Sequence, residues 1–453
     1  MKRVHFIAIG GSAMHNLAIA LHLKGYNVTG SDDEIFDPAK SRLEKYDLLP
    51  KNIGWNPDNI VPEIDAIILG MHARIDNPEL LKAKELGIKI FSYPEYLYEQ
   101  SKEKTRVVIG GSHGKTTITA MILHVLQYAN IKTDYMVGAQ LEGFEVMVKL
   151  SEDAEIMVLE GDEYLTSPID RRPKFHLYKP DVALISGVAW DHINVFPTFE
   201  IYKDQFRQFA NLITANGKLI YCADDENVKD IGTSVRSDVE SIPYDVPKFV
   251  IENGVTNLIV DNKKVPLQVF GRHNLLNLMG AKNVCNSIGV SDEVFFEAIK
   301  TFKGASKRLE LVKKNDTTAV YKDFAHAPSK LKATIGAMKE QFADRTLVAC
   351  MELHTFSSLT DAFLCQYSGT MDVADCAIVY FNPHALEHKK LPPLDPVKVQ
   401  NAFGNENIKV YTNSEQLVND ILAMDWENKN LLLMSSGNFD GVDFKDLANR
   451  IIK

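Results

Sequence analysis

The chain has 453 residues, 45% of them hydrophobic and 24% charged, with a formal net charge of −10. That length holds about three domains, and the composition is that of a soluble globular protein. The acidic balance argues against a nucleic-acid partner. No stretch is apolar enough to span a bilayer, and the apolar run 4–9 meets Gly10 too early for a signal peptide, so a cytoplasmic protein without a membrane partner is expected. Five scattered cysteines with no C-x-x-C read as buried reduced thiols.

In chain order, residues 3–9 predict a strand, and Gly10-Gly11-Ser12-Ala13-Met14 turns into a helix from about 15 to 24, closed by Gly25. A second strand over 26–29 ends in Gly30-Ser31-Asp32. This is a βαβ unit with a glycine turn before its helix and an acid after its second strand. It lacks the complete G-x-G-x-x-G, so a single nucleotide or nucleotide-sugar fits at least as well as a nicotinamide cofactor. The pattern repeats with strands over 66–69 and 88–91, helices over 78–86 and 94–100, and a charged linker at 101–105.

The β-branched run Val107-Val108-Ile109 then enters Gly110-Gly111-Ser112-His113-Gly114-Lys115-Thr116-Thr117, followed by helical spacing over 118–129. Strand, glycine loop and helix in that order build a cradle of backbone N–H groups for phosphate. Lys115 would meet the β/γ-phosphates, and the Thr116 hydroxyl would reach Mg²⁺. The G-x-x-x-x-G-K-[ST] spacing fails at one position, where Ile109 stands for the first glycine. A strand over 154–159 ends on Glu160-Gly161-Asp162-Glu163, and one over 182–188 leads to Trp190-Asp191-His192. Polar strand ends beside a phosphate loop suit a metal–nucleotide site. Strands over 219–221 and 249–260, the latter split at Asn253-Gly254, are expected in the same domain, and Gly271-Arg272-His273-Asn274 opens a helix to about 288.

After 302–308 a third α/β unit is expected, with strands over 318–321, 346–351, 376–380 and 431–434 and helices over 329–341, 361–367, 413–424 and 443–452. Asp323 and His326, Glu352 and His354, and residues 435–438 follow its strands, at the edge where an open parallel sheet binds ligands.

These landmarks together resemble the Mur ligase family. Its short phosphate loop, G-[ST]-x-G-K-[ST], matches residues 111–116 and accounts for the missing glycine; the resemblance continues through residues 10–14 with 30–32, 160–163, 191–192, 271–274, Lys307-Arg308-Leu309-Glu310 and Asp323-Phe324-Ala325-His326-Ala327-Pro328. The resemblance implies an α/β protein of three domains, each a mainly parallel sheet with flanking helices. Residues 1–103 would be a Rossmann-like UDP-sugar domain, 104–303 a P-loop ATPase-like domain, and 304–453 a Rossmann-like domain bringing the amine substrate. It implies an ADP-forming amide ligase using ATP and Mg²⁺, in which the carboxylate of UDP-N-acetylmuramate becomes an acyl phosphate that an amine displaces.

By the match, Gly10, Gly11, Ser12, Ala13, Met14, Ser31 and Asp32 would hold the UDP-sugar. ATP would meet Gly111, Ser112, His113, Gly114, Lys115, Thr116, Thr117, Asn274 and Asp323, and Thr116, Glu160 and His192 would hold metal. Lys115, Arg308 and His326 would act at the reacting phosphoryl group, with Lys307 beside Arg308. Residues 162–164, 170–175, 191–196 and 434–441 resemble the member that adds the tripeptide L-Ala-γ-D-Glu-meso-diaminopimelate; the alternative is the member that adds L-alanine. The chain departs from both at residues 326–328 and at Glu352-Leu353-His354-Thr355-Phe356. Arginines usual after His354 are replaced by Thr355 and Ser358, so His354, Thr355 and Ser358 are the candidate amine contacts. A monomer or homodimer is expected. A dinucleotide-dependent oxidoreductase would leave the Lys115-Thr116 loop without a purpose. A decayed, non-catalytic nucleotide binder would not keep Lys115, Thr116, Glu160, His192, Asn274 and Asp323 together, and folylpolyglutamate synthetases share the phosphate loop but not the first domain.

Overall fold

The computed structural model describes the chain apart from residues 72, 141–143, 145, 168–169, 191–194, 306–307 and 453. Two compact units emerge: Met1–Val246 with Leu276–Ile299, and Pro247–Leu275 with Lys300–Lys453.

The first unit carries two sheets. β1 (Arg3–Ile7), β2 (Asn27–Ser31), β3 (Ala66–Leu69) and β4 (Ile90–Ser92) pair in the order β2-β1-β3-β4, all parallel. Phe6, Ile7, Ile67 and Ile68 are wholly buried, as consecutive residues of a sheet covered on both faces must be. The second sheet comprises β5 (Thr105–Gly110), β6 (Thr133–Met136), β7 (Val148–Lys149), β8 (Ile156–Glu160), β9 (Val182–Ile185), β10 (Lys218–Cys222) and β11 (Glu240–Tyr244). Its order is β11-β10-β9-β5-β8-β6-β7, parallel except for β7 against β6. β5 lies at its centre, so the phosphate loop leaves the sheet between β8 and β9, and both neighbours end beside it. β9 stops at Ile185, shorter than the predicted 182–188, because Ser186 and Gly187 turn to brace that loop.

In the second unit β12 (Phe249–Glu252), β13 (Val255–Val260) and β14 (Lys263–Pro266) form an antiparallel sheet of their own. These residues were expected to continue the central domain. Two-residue turns at Asn253-Gly254 (φ 50° and 70°), where the predicted strand was split, and at Asp261-Asn262 (φ 47° and 61°) fold them into hairpins. The hairpin is then tied to the helix Pro328–Gln341: Thr256 Oγ1 donates to Gln341 Oε1 at 2.7 Å, and Gln341 Nε2 donates to the Gly254 carbonyl at 2.7 Å. The last sheet holds β15 (Glu310–Lys314), β16 (Ala319–Asp323), β17 (Thr346–Leu353), β18 (Cys376–Phe381), β19 (Lys409–Tyr411) and β20 (Lys429–Met434), ordered β15-β16-β20-β17-β18-β19 and parallel except for β15. Alternating residues of β17 feed separate cores: Leu347, Ala349 and Met351 on one face, Val348 and Cys350 on the other.

The predicted helix 361–367 breaks into Asp361–Leu364 and a 3₁₀ turn, Cys365–Tyr367, as Tyr367 turns inward to stack on Phe403 at 5.1 Å. That turn leaves Cys365 exposed, against the expectation of buried thiols; Cys222, Cys285 and Cys350 are buried. Among the described residues no helix is long and apolar enough to cross a membrane.

Candidate active site

Close backbone packing sets the phosphate loop. Gly111 has φ +138°, and a Cβ there would lie 2.1 Å from Ser186 Oγ; Gly114 has φ +81°, and its Cβ would lie 2.4 Å from Asn277 Oδ1. Neither position accepts a side chain. The end of β9 braces the loop through Ser186 N–H to the Gly110 carbonyl (3.1 Å), Ser112 N–H to the Gly187 carbonyl (2.9 Å) and Ala189 N–H to Ser112 Oγ (2.9 Å). Ser112 Oγ and His113 Nδ1 lie 2.9 Å apart, and the His113 ring occupies the space beside Gly187 that a Cβ would need. Gly114 is the N-cap of the helix Lys115–Tyr128, whose first N–H groups face the loop; Thr117 is buried within its first turn.

The charges converge from β5 and β8. Lys115 Nζ donates to the Gly111 carbonyl and to Glu163 Oε2, both at 2.6 Å. Burial works against its charge, but the carboxylates of Glu163, Asp162 and Glu160 outweigh that and hold its pKa above the ordinary lysine value. Burial also opposes the Asp162 charge, yet Lys174, at 2.6 Å, and Lys115 keep its carboxyl below the usual range. Thr116 Oγ1 donates to Glu160 Oε1 at 2.8 Å, and Gly138 N–H donates to Glu160 Oε2 at 2.9 Å.

Thr116 and Glu160 offer hard oxygen donors side by side, a donor set that fits Mg²⁺. A Cβ on Gly138 would come within 2.8 Å of the Glu160 carboxylate, so the backbone is shaped around that group. Asp191, His192 and Lys307 lie outside the described residues. Among the described residues, no three His, Cys, Asp or Glu side chains gather as a metal cage.

In the first sheet, Asp32 follows β2 and accepts the Gly10 N–H on Oδ2 at 2.6 Å; burial pushes its carboxyl above the usual range. Gly11 is the N-cap of the helix Ser12–Leu23 and has no side-chain cap, while Ser12 and Ala13 lie on its first turn and Met14 is buried. Ser31 points inward. Its hydroxyl donates to Glu79 Oε1 at 2.7 Å and accepts from Asn59 Nδ2 at 3.1 Å. Sequence reasoning missed Arg42, whose guanidinium joins Asn16 Oδ1 (3.2 Å), on the helix Ser12–Leu23, to Gln140 Oε1 (2.8 Å), in a loop after β6 of the second sheet.

In the second unit Asp323, Glu352, His354 and Ser435 stand at the carboxyl ends of β16, β17 and β20, while Asn274 lies on the helix Arg272–Ser287. Asp323 accepts the Leu309 N–H on Oδ2 at 2.5 Å and the Ala325 N–H on Oδ1 at 2.6 Å, and burial raises its pKa. The Arg308 guanidinium lies 4.8 Å from the Phe324 ring centre. His326 Nδ1 donates to the Phe324 carbonyl at 2.8 Å, and the His326 carbonyl accepts from Tyr367 Oη at 2.6 Å. Asn274 is buried and donates to the Phe270 carbonyl at 2.9 Å. Ser358, wholly buried, donates its N–H to Thr355 Oγ1 and its hydroxyl to the Thr355 carbonyl, which leaves His354 and Thr355, both half-buried, as the accessible members of the predicted amine set. The organiser of this edge is Glu352, buried, taking the Ser435 hydroxyl and the Phe439 N–H on one oxygen with His354 Nδ1 3.6 Å from the other. Its signal in the sequence was a carboxylate ending an apolar strand.

Comparison with known proteins matches residues 3–105 to the Mur ligase family, catalytic domain, and residues 109–285 to the Mur ligase middle domain. A UDP-N-acetylmuramate–L-alanine ligase of Sulfurihydrogenibium sp. is 33% identical over 391 residues, 84% of this chain and 82% of its own. The UDP-N-acetylmuramate–L-alanyl-γ-D-glutamyl-meso-2,6-diaminoheptandioate ligase of Haemophilus influenzae is 26% identical over 465 residues, 100% of both chains. The crystal structure of UDP-N-acetylmuramate–alanine ligase from Thermotoga maritima shares the fold with a TM-score of 0.70 at 20% identity, covering 100% of this chain and 98% of that one.

Proposed function

We propose that this chain, which belongs to the Mur ligase family of ATP-dependent ligases forming carbon–nitrogen bonds in peptidoglycan biosynthesis, joins the carboxylate of UDP-N-acetylmuramate to the amine of L-Ala-γ-D-Glu-meso-diaminopimelate. The observation that carries the amine assignment is the edge after β17. Residues 352–360 contain no lysine or arginine to clamp the carboxylate of a small free amino acid, and Ser358 faces inward. Similarity runs along the full length of the Haemophilus tripeptide ligase and almost as far along an L-alanine ligase, so it favours neither amine. The L-alanine ligase relatives keep the alternative in view, since L-alanine would use the same activation step. Functional boundaries near residues 103 and 303 follow from the same assignment.

In this reading the carboxylate attacks the γ-phosphoryl group of ATP and ADP leaves; the amine then attacks the acyl carbon, phosphate leaves, and the amine proton passes to solvent or a nearby base. Both steps place negative charge on oxygen, so fixed cations and N–H donors carry the catalysis. Lys115 and the N–H groups of residues 111–116 hold the phosphates, Asp323 accepts from the ribose, and Arg308 and His326 serve the transferred group. Thr116, Glu160 and His192 would hold Mg²⁺, which supplies charge neutralisation when bound.

Parallel incubations with the tripeptide and with L-alanine test the assignment by ADP release. Release is expected with UDP-N-acetylmuramate, Mg²⁺ and tripeptide together. Turnover with L-alanine and not the tripeptide would overturn the amine assignment, and turnover with neither would overturn the ligase reading.

The UDP-sugar assignment gives a second expectation. Burial raises the Asp32 pKa, so the folded state favours its proton, and the contribution present below the ordinary value of about 4 is lost as pH rises through the folded pKa. Asp32→Asn removes a buried charge while keeping an acceptor for the Gly10 N–H. It should raise the melting temperature at pH 7, give no such gain near pH 3, and weaken UDP-N-acetylmuramate binding. Parallel loss of stability and binding at pH 7 would show the carboxylate to be structural.

A further inference from the structure

Glu163 stands three residues beyond β8 and is absent from the set of nucleotide contacts assigned above. Its side chain is 1% exposed, yet it is an unsubstituted carboxylate set against the most important cation of the phosphate loop. One oxygen, Oε2, accepts from Lys115 Nζ at 2.6 Å. The other, Oε1, accepts from the Tyr202 hydroxyl at 3.0 Å. Tyr202 is itself fixed: it projects from the helix Phe199–Asn211 and packs against Phe196 at 5.5 Å and edge-on against Phe206 at 5.3 Å. A rigid aromatic element therefore holds one end of a carboxylate whose other end holds the lysine.

An ammonium has three N–H donors on a flexible stem. Here two of them are fixed, one on the Gly111 carbonyl at 2.6 Å and one on Glu163. The third has no acceptor among the described residues. We infer that Glu163, backed by Tyr202, is a positioning residue for Lys115, holding the ammonium so that its remaining N–H is presented to the transferring phosphoryl group. This inference rests on the ATP-dependent ligase reading and extends it to a residue pair outside the phosphate loop.

The arrangement has opposing consequences. A fixed donor costs no reorganisation when charge develops on the phosphoryl oxygens, which favours the transition state. A buried carboxylate close to the incoming phosphates repels them, which weakens ground-state binding. Glu163 thus exchanges nucleotide affinity for turnover, a split that a purely structural ion pair would not produce.

Glu163→Gln keeps the shape and the acceptor for Tyr202 but removes the charge. Calorimetric binding of a non-hydrolysable ATP analogue should be unchanged or up to about tenfold tighter, while kcat with saturating substrates falls by roughly 10- to 100-fold. Tyr202→Phe should lower kcat by several-fold in the same direction, with analogue affinity within about twofold of wild type. A fall in analogue affinity in step with kcat, or a kcat within twofold of wild type, would overturn the inference. Should Glu163→Gln not fold, Tyr202→Phe decides alone, because wild-type turnover in that variant is incompatible with the role. Failure of the ligase reading would be visible separately, as a wild-type protein that neither binds the analogue nor turns over.

Discussion

Lys115→Ala is expected to lower ADP release by ~10³-fold or more while UDP-N-acetylmuramate affinity stays within about threefold. The size follows from the work asked of the ammonium. Loss of one neutral oxyanion donor costs about 10²–10³ in rate, and Lys115 adds a full charge in a setting where the carboxylates of Glu163, Asp162 and Glu160 hold that charge in place. The selectivity follows from topology. Lys115 opens the helix after β5 in the second sheet, whereas Gly10 and Asp32 follow β1 and β2 in the first. Comparable loss of both activities would mean that the functional boundary near residue 103 is misplaced. Stability should also suffer, because removing Lys115 leaves Glu163 buried without its cation, a cost on the order of 3–5 kcal/mol. Lys115→Met with Glu163→Gln should recover most of that stability and none of the activity. Thermal melts beside turnover measurements separate the two effects.

How far the sequence anticipates this site depends on how local each feature is. The loop at 110–117 was readable because strand, glycines, Lys115 and Thr116 are contiguous, and the φ values at Gly111 and Gly114 require what a glycine supplies. The parallel strands were readable as short apolar runs, since both faces of each sheet are covered. Partnerships across the chain were not. Nothing in the residue order couples Glu163 to Tyr202 or Ser186 to Gly110, because those pairs exist only once β5, β8 and β9 lie side by side. The helix carrying Tyr202 did have a signal, with Tyr202, Phe206, Phe209 and Ala210 on one buried face. The hairpin turn of β12–β13 was legible at Asn253-Gly254, but the tie from this sheet to the helix Pro328–Gln341 was not, because it depends on Thr256 meeting Gln341, 85 positions away. Ser31 and Ser358 show the converse limit, where the family resemblance implied a ligand contact and packing turns each hydroxyl inward.

Gly111→Ala separates the two demands made on the phosphate loop. A Cβ would stand 2.1 Å from Ser186 Oγ and 3.1 Å from Ser186 N, and it would also force an L-residue to hold φ +138°. The first is a steric conflict with a side chain that is itself hydrogen-bonded to the His113 carbonyl; the second is backbone strain of roughly 1–3 kcal/mol. Both act on the carbonyl that holds Lys115, so nucleotide binding should be lost along with turnover, and the melting temperature should fall. Adding Ser186→Ala removes the Oγ clash but leaves the φ requirement and the 3.1 Å approach to the Ser186 amide. The double variant should therefore regain part of the stability and little of the nucleotide affinity, because Lys115 still depends on the orientation of the Gly111 carbonyl. Calorimetry with ADP and thermal melts on the single and double variants would test this directly. Full recovery of binding in the double variant would show that the clash alone governs the loop and that the left-handed conformation at Gly111 is incidental to phosphate capture.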